Sequence, residues 1–248
     1  MNTLIVIPAR LESTRLPRKL LLDQTGMPLI QHTWQAACRS GLADDVLVAT
    51  DAAEIEEVVT AFGGRALRTS PAHTTGTDRL AEVARQYPEY DVLVNLQGDE
   101  PEIGGGDIDQ AIGLVRDRPA ADLSTLACPL HNPQQIEDPA CVKVVFDRQQ
   151  RALYFSRSPI PWARAGLAAT LPELPHAWHQ HIGIYVYRRE SLLEITASGP
   201  PPAEQAESLE QLRALHLGKT ILVGLTERST PGIDTAEDYA AFVSRNSS

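Results

Sequence analysis

Residues 4–19 read LIVIPARLESTRLPRK, an apolar run followed directly by a basic loop. Four consecutive apolar residues ended by Pro8 are typical of a strand that is buried on both faces, as in a parallel sheet. A loop that follows the first strand of such a sheet lies at its carboxyl edge, where ligands bind. This segment therefore predicts an α/β fold and places a binding loop in it.

The first half of the chain alternates strand and helix patterns. The pattern predicts strands at 4–7, 46–49, near Ala66 and at 92–96, and helices at 28–40, from about 51 to 63, at 78–86 and at 107–118. Repeated strand–helix units with short loops predict a doubly wound, mostly parallel sheet.

The regular alternation of predicted strands and helices ends beyond Leu123. The sequence there predicts strands at 142–146, 152–155 and 182–187, a proline-rich irregular loop at 158–175, a helix at 203–217, a strand at 221–225 and a last helix from Thr235. We therefore expect a single domain over 1–248. Within it, approximately 123–190 would be an antiparallel insertion that forms a second lobe or a dimerisation arm.

Composition narrows the classes of function. A net charge of -10 disfavours nucleic-acid binding. No apolar run approaches the roughly 18 residues that span a membrane, and the opening residues lack the basic region and cleavage site of a signal peptide. A cytoplasmic location is therefore expected. Three separated cysteines without a C-x-x-C spacing argue against a disulfide framework or a cysteine zinc site.

The basic loop carries the first candidate site. It contains neither G-x-G-x-x-G nor G-x-x-x-x-G-K-[ST], so a glycine-rich phosphate cradle is not indicated. Arg10 and Arg15 can offer forked donors to phosphate oxygens, and Lys19 adds a compact charge. Ser13 and Thr14 add hydroxyl donors. Side chains are thus predicted to neutralise a polyphosphate here.

Two acids are candidate metal ligands. Asp99 follows the predicted strand at 92–96, and a carboxylate at that edge suits Mg²⁺, although a turn or cap role is the alternative. Asp234 precedes the last helix and is predicted to be its N-cap. A metal role for Asp234 also requires that the fold bring it beside Asp99.

Seven motifs occur in one order along nearly the whole chain. They are IPARLESTRLPRK (7–19), HTTGTDRLAE (73–82), NLQGDEP (95–101), ALYFSR (152–157), HIGIYVYR (181–188), SLEQLR (208–213) and GIDTAED (232–238). This combination resembles the 3-deoxy-manno-octulosonate cytidylyltransferases. The opening motif is shared more loosely with CMP-sialate synthetases and other sugar nucleotidyltransferases, whereas SLEQLR and YFSR are more specific.

The resemblance implies a magnesium-dependent homodimer that joins CMP from CTP to 3-deoxy-D-manno-octulosonate (Kdo) and releases pyrophosphate, for lipopolysaccharide biosynthesis. It implies that CTP is bound by Ala9, Arg10, Ser13, Thr14, Arg15, Lys19, Gly76 and Asp99, of which Arg10, Arg15, Lys19 and Asp99 are catalytic. It implies that the sugar acid is bound by Gln97, Arg157, His181, Tyr185, Glu210 and Gln211. Asp99 and Asp234 would hold Mg²⁺.

Alternatives remain open at this point. The acceptor could be sialate or an 8-amino relative of Kdo. The D-x-D formed by Asp107 and Asp109 would instead suit a metal-dependent glycosyltransferase, although acids at a helix start usually serve the helix. A non-enzymatic nucleotide-binding module is a weaker option. Ser208 with Gln211 would also suit a capping box, and Arg18 stands where the family commonly has glycine.

Overall fold

The computed structural model describes residues 1–227 and 229–246. It contains two compact units. The first comprises Met1–Ile112 together with the segment from Thr230, and the second comprises Gly113–Ser229. The second unit therefore extends further in both directions than the insertion expected at 123–190.

The order of strands and helices is that of an α/β protein. The strands are β1 (Thr3–Ala9), β2 (Asp45–Thr50), β3 (Arg65–Arg68), β4 (Val92–Asn95), β5 (Leu123–Pro129), β6 (Lys143–Phe146), β7 (Ala152–Ser156), β8 (His179–Arg188) and β9 (Ile221–Leu225). The helices are α1 (Leu29–Ala37), α2 (Ala53–Ala61), α3 (Gly76–Gln86), α4 (Gly105–Asp117), α5 (Pro133–Glu137), α6 (Leu167–Thr170), α7 (Arg189–Ala197), α8 (Pro202–Glu207), α9 (Gln211–His216) and α10 (Ala236–Asn246).

The first unit is built on four parallel strands in the order β3-β2-β1-β4. Val6 of β1 is opposite Leu47 of β2 and Asn95 of β4. Strand β1 is buried on both faces, as its continuous apolar run predicts. Because β1 and β4 are parallel neighbours, the basic loop after β1 and Asp99 after β4 emerge at the same edge of the sheet. The predicted parallel sheet is confirmed.

The second unit contains the predicted antiparallel strands. Strand β8 is antiparallel to β5 and β6, and β6 is antiparallel to β7, whereas β9 is parallel to β5. The β5–β8 ladder shifts register at Thr125 and Leu126, which are opposite Tyr185 and Ile182. The two residues of β8 between these partners form a bulge, a device that re-aims neighbouring side chains.

The helix predicted over 203–217 is wrong in one respect, because it is broken into α8 and α9. Ser208 ends α8 with φ 52 in the left-handed region, and Glu210 is the residue that precedes α9. The carboxylate of Glu207 accepts hydrogen bonds from Ser156 Oγ (2.6 Å) and Arg157 N (2.9 Å), which fixes the end of α8 to β7. The capping-box alternative for Ser208 is therefore also wrong. Helix α7 was not predicted.

Arg18 gives a stability prediction, because its φ of 55 lies in the left-handed region that favours glycine. A non-glycine residue there costs about 1–2 kcal/mol, and glycine's extra freedom when unfolded offsets about 0.5–1 kcal/mol of that. The exposed ion pair with Glu54 contributes little. We expect the free energy of unfolding of the Arg18→Gly variant to be about 1 kcal/mol higher than that of the Arg18→Ala variant. Urea titration of the two variants measures this difference. An Ala variant at least as stable would contradict this.

Candidate active site

Residues from three separate segments of the first unit meet at the carboxyl edge of its sheet. Lys19 Nζ lies 2.6 Å from Asp99 Oδ2 and 3.0 Å from Asp234 Oδ1. A guanidinium nitrogen of Arg15 lies 3.0 Å from the same Asp234 oxygen. The Ile233 amide donates to the Asp99 carbonyl (2.9 Å), which holds the segment before α10 against the end of β4. The structure thus brings together four of the predicted residues.

Asp234 is free to join this cluster because it does not cap α10. Thr235 Oγ1 accepts the amide of Asp238 (3.1 Å), and the Asp238 carboxylate accepts the amides of Asp234 and Thr235. Thr235 is therefore the capping residue, and the prediction that Asp234 is the N-cap is wrong. Its carboxylate faces Lys19 and Arg15 instead.

The charges of the cluster follow from its surroundings. Burial alone would lower the pKa of Lys19, but the charges of Asp99 and Asp234 and their hydrogen bonds raise it, so the ammonium stays protonated. Burial, together with the neighbouring charge of Asp99, raises the pKa of Glu100 to about 8. Glu100 is therefore mostly neutral at pH 7, and Asp99 supplies the negative charge of this acidic pair.

The donor set suits a hard cation. The Lys19 ammonium already lies between the carboxylates of Asp99 and Asp234, so both acids converge on a positive charge. Mg²⁺ is commonly held by one or two carboxylates together with water and substrate phosphates rather than by a closed protein cage. Over residues 1–227 and 229–246 no group of three or more His, Cys, Asp or Glu side chains could hold a metal. Two carboxylates that already share one cation are a set that suits Mg²⁺ arriving with a phosphate ligand.

The D-x-D sequence has a different role. Asp109 accepts hydrogen bonds from Ser40 Oγ (2.5 Å) and from the amides of Gly41 (3.0 Å) and Leu42 (3.1 Å). It therefore fixes the loop after α1, and the metal site of the glycosyltransferase alternative is absent from these residues.

Other predicted nucleotide residues surround the end of β1. Ala9 is buried in β1, whereas Ser13 is half-buried and Thr14 is exposed in the loop. Arg10 donates to the carbonyl of His73 (2.9 Å) rather than joining the acidic cluster. Gly76 begins α3, and a Cβ there would lie 3.4 Å from Pro8 Cγ.

Gly98 lets the chain after β4 approach the end of β1. A Cβ at this position would lie 3.2 Å from the Pro8 carbonyl oxygen and from Leu20 Cδ2. A side chain here would therefore push on the Pro8 carbonyl and on Leu20, the residue next to Lys19. Gln97, the predicted sugar-acid residue of this unit, is half-buried beside it.

Two predicted sugar-acid residues lie on strand β8 of the second unit. His181 and Tyr185 have ring centroids 5.3 Å apart, and the Phe155 ring contacts the imidazole in a T-shaped arrangement at 5.1 Å. His181 Nε2 lies 3.0 Å from Thr125 Oγ1. The alternation predicted for β8 is confirmed up to Val186, since Ile182, Ile184 and Val186 are buried.

The other three lie near the junction of α8 and α9. Arg157 donates to the carbonyls of Glu207 (2.7 Å), Ser208 (3.4 Å) and Pro139 (3.0 Å), so its guanidinium holds backbone in this structure. Gln211 is 6% exposed, and its Nε2 has no hydrogen-bond partner among the described residues. Glu210 is half-buried immediately before it. The unpartnered amide makes Gln211 the strongest ligand candidate of the three.

His181 gives a pH prediction. Burial lowers its pKa from 6.5 to about 3, so the unfolded chain binds more protons than the folded one between these values. Stability is therefore lost as the pH falls below 6.5, by up to about 1.4 kcal/mol per pH unit. We expect His181→Gln to flatten the dependence of the unfolding free energy on pH between 6 and 4.5, relative to wild type. His216→Gln, at an exposed position, is the control, and equal slopes in the two variants would contradict the assignment.

Within each unit, some residues that contact the predicted site residues or their neighbours were not predicted. Thr125 lies in an apolar strand, and its hydroxyl lies 2.7 Å from the carbonyl of Ile184. Glu207 fixes Arg157 and Ser156, and Glu82 contacts His73. The HTTGTDRLAE motif contains Glu82, which is the one signal that pointed to it.

Comparison with known proteins decides the family. The profile of a family described as Cytidylyltransferase matches residues 4–221. This chain belongs to the cytidylyltransferase family. A 3-deoxy-manno-octulosonate cytidylyltransferase of Rhodopirellula baltica is 48% identical over 99% of this chain and 98% of its own length. A 3-deoxy-manno-octulosonate cytidylyltransferase of Marinobacter nauticus is 47% identical over 97% of this chain and 95% of its own length.

Solved structures agree with this family. A CMP:2-keto-3-deoxy-manno-octonic acid synthetase complexed with CTP has a TM-score of 0.92 and 40% identity, and the match covers 99% of this chain and 98% of that one. A cytidylyltransferase from Leptospira borgpetersenii shares the fold, with a TM-score of 0.65 and 20% identity. The match covers 98% of this chain and 86% of that one. This cytidylyltransferase is therefore a nucleotidyltransferase enzyme, and the glycosyltransferase and non-enzymatic alternatives are wrong. Among its described residues, no helix is long and apolar enough to span a bilayer.

Proposed function

We propose that this enzyme transfers CMP from CTP to Kdo and releases pyrophosphate, a reaction that serves lipopolysaccharide biosynthesis. The observation that carries the proposal is the match to the CTP-complexed synthetase, which extends over 99% of this chain. The named relatives also span nearly the whole chain, so the similarity includes both the phosphate-binding loop and the segments proposed to bind the sugar acid.

The triphosphate would be held by Arg10, Arg15 and Lys19. Arg15 and Lys19 now contact carboxylates, and phosphate oxygens are equivalent acceptors for the same donors. Ser13 and Thr14 would add hydroxyl donors, with the cytosine against Gly76. With CTP bound in this way, these side chains would place positive charge beside the α-phosphate as it loses pyrophosphate.

Asp99 and Asp234 would hold Mg²⁺, which the geometry of their carboxylates around Lys19 supports. When bound, the ion would neutralise phosphate charge and lower the pKa of the attacking hydroxyl. Lys19 would then exchange its carboxylate partners for phosphate oxygens.

The reaction itself is a displacement at the α-phosphorus. The anomeric hydroxyl oxygen of Kdo bonds to that phosphorus, the bond to the oxygen bridging the α- and β-phosphates breaks, and pyrophosphate leaves with that electron pair. The hydroxyl proton passes to solvent. Arg10 and Arg15 would neutralise the charge on the departing group, and the protein otherwise contributes positioning.

The sugar acid would be bound by the remaining predicted residues. Gln211 Nε2 is a buried donor that a substrate oxygen would satisfy. His181 is neutral at physiological pH and would act as a hydrogen-bonding and packing group beside Tyr185. Arg157 and Glu210 near the α8–α9 junction and Gln97 after β4 complete the proposed set.

A homodimer and a cytoplasmic location stay predictions. Large side chains that remain exposed in the second unit support association: Trp162 is 80% exposed and Leu153 is 60% exposed. Tryptophan is among the residue types enriched at protein–protein interfaces.

A substrate panel tests the proposed function. The purified enzyme is given each nucleoside triphosphate with Kdo, sialate or 8-amino-Kdo in the presence of Mg²⁺, and pyrophosphate release is measured. We expect release with CTP and Kdo to exceed every other combination. Faster release with another sugar acid would establish the alternative acceptor, and no release with CTP and Kdo would overturn the proposal.

A further inference from the structure

The loop between β3 and α3, residues 69–75, is held by a carboxylate of α3. Glu82 Oε2 lies 2.5 Å from His73 Nε2 and accepts the amide of Ser70 at 2.9 Å. The side chains of His73 and Glu82 are 19% and 25% exposed, so water competes only weakly for these contacts. One carboxylate oxygen therefore ties together two points of the same loop.

The ends of this loop have separate anchors. Arg79, which is fully buried, contacts Thr69 Oγ1 and the carboxylate of Asp51. Thr75 Oγ1 accepts the amide of Asp78 and caps α3. Thr74 Oγ1 also donates to the Asp78 carboxylate (3.2 Å), but this contact is exposed. Ser70 and His73 themselves are held by Glu82.

The middle of the loop in turn holds Arg10. The Arg10 guanidinium donates to the carbonyl of His73 at 2.9 Å. A side chain with this much rotational freedom needs such a contact to keep one direction. The direction of Arg10 is therefore coupled, through His73, to a carboxylate that is not a member of the acidic cluster.

We propose that Glu82 is a positioning residue for nucleotide binding, which holds the His73 carbonyl where it aims Arg10 at the triphosphate. The inference rests on the proposed function in one respect, namely that Arg10 binds CTP phosphates. Binding is weaker when a binding group such as Arg10 is displaced from its contact with the phosphate. Loss of Glu82 therefore weakens CTP binding, although Glu82 itself does not touch the nucleotide.

The charge state of Glu82 agrees with this role. Burial would raise its pKa, but the Ser70 amide and the hydrogen bond and charge of His73 lower it overall. Glu82 is therefore ionised across the physiological range, and its bonds to the loop are charge-assisted and strong.

The test measures CTP dissociation constants by calorimetry and is read as a double-mutant cycle. We expect Glu82→Ala to weaken CTP binding about 10-fold, equivalent to about 1.4 kcal/mol. Glu82→Gln keeps an acceptor oxygen and should recover most of the affinity. Glu57→Ala, the same change at an exposed position of α2, should bind CTP as wild type does.

The cycle separates positioning from general support of the fold. If Glu82 acts through Arg10, adding Glu82→Ala to Arg10→Ala changes CTP affinity less than about 2-fold. Independent, multiplying losses would overturn the inference, and so would wild-type affinity in Glu82→Ala. Should Glu82→Ala not fold, His73→Ala, which removes the other partner of the Glu82 contact, replaces it in the cycle, and the same criterion applies. If wild type itself fails to bind CTP, the proposed function falls and the inference with it.

Discussion

Asp99→Asn is expected to lower kcat/KM for CTP-dependent pyrophosphate release by about 10³-fold or more while the protein stays folded. The amide matches the carboxylate in shape, so the packing around Gly98 and Lys19 is kept. It removes the negative charge that, with Asp234, would hold Mg²⁺, and it leaves the Lys19 ammonium with one carboxylate partner. Steady-state kinetics and thermal unfolding check the two halves of this expectation.

The matched control is Asp117→Asn, the same change at an exposed position at the end of α4. It should leave both turnover and unfolding temperature near wild type. Near-normal turnover in Asp99→Asn would contradict the proposal that Asp99 holds Mg²⁺. A large loss of folded protein would show that Asp99 is needed for structure instead.

Arg213→Met is expected to lower the free energy of unfolding by about 3–5 kcal/mol, because it leaves the buried carboxylate of Glu204 without its ion-pair partner. Arg213 donates through two nitrogens to both oxygens of Glu204, and a third bond runs to the Ser198 carbonyl at 3.2 Å. Glu204 is 6% exposed, so water cannot replace the lost partner. Denaturant titration followed by circular dichroism measures the loss.

A variant with both residues replaced distinguishes two causes of the lost stability, an unpaired buried charge and lost packing. Replacing Glu204 and Arg213 together by Met removes both charges, and buried ion pairs replaced in this way are often neutral within about 1–2 kcal/mol. Most of the stability lost in Arg213→Met should therefore return. If the double variant is as unstable as the single one, the pair contributes through packing, and our electrostatic account of the α8–α9 junction is wrong.

The parallel sheet and the core of the nucleotide site could be predicted because local signals and their position agree. An apolar run such as Leu4–Ile7 can be buried only in a strand or helix interior, and the charged residues after it must then lie at an edge. Lys19 and Asp99 were both predicted at the carboxyl edge, and the pairing of β1 with β4 in the structure brings them together. The resemblance added the identity of the sugar acid, which no local signal specifies.

What could not be predicted depends on contacts between distant segments. Asp234 and Thr235 are both good capping residues, and the choice between them follows from the bond of Ile233 to Asp99. The break at Ser208 follows from the bonds of Glu207 to β7, whose residues lie about fifty positions earlier. Helical periodicity continues through Ser208, so a single helix was the natural prediction.

Arg10 illustrates the intermediate case. Its position after β1 was predictable, but its partner, the His73 carbonyl, is a backbone group whose location depends on a loop fixed by Glu82. Backbone acceptors carry no residue-type signal, so spacing cannot reveal them.

This enzyme should transfer the α-phosphate of CTP, with its nucleoside, to a sugar acid. The most direct measurement follows CTP labelled with ³²P at the α-phosphate during incubation with Kdo and Mg²⁺. We predict that the label appears in a CMP–sugar acid conjugate while unlabelled pyrophosphate accumulates in equal amount. Label that stays in CTP, or that appears only in free CMP or CDP, would contradict the claim.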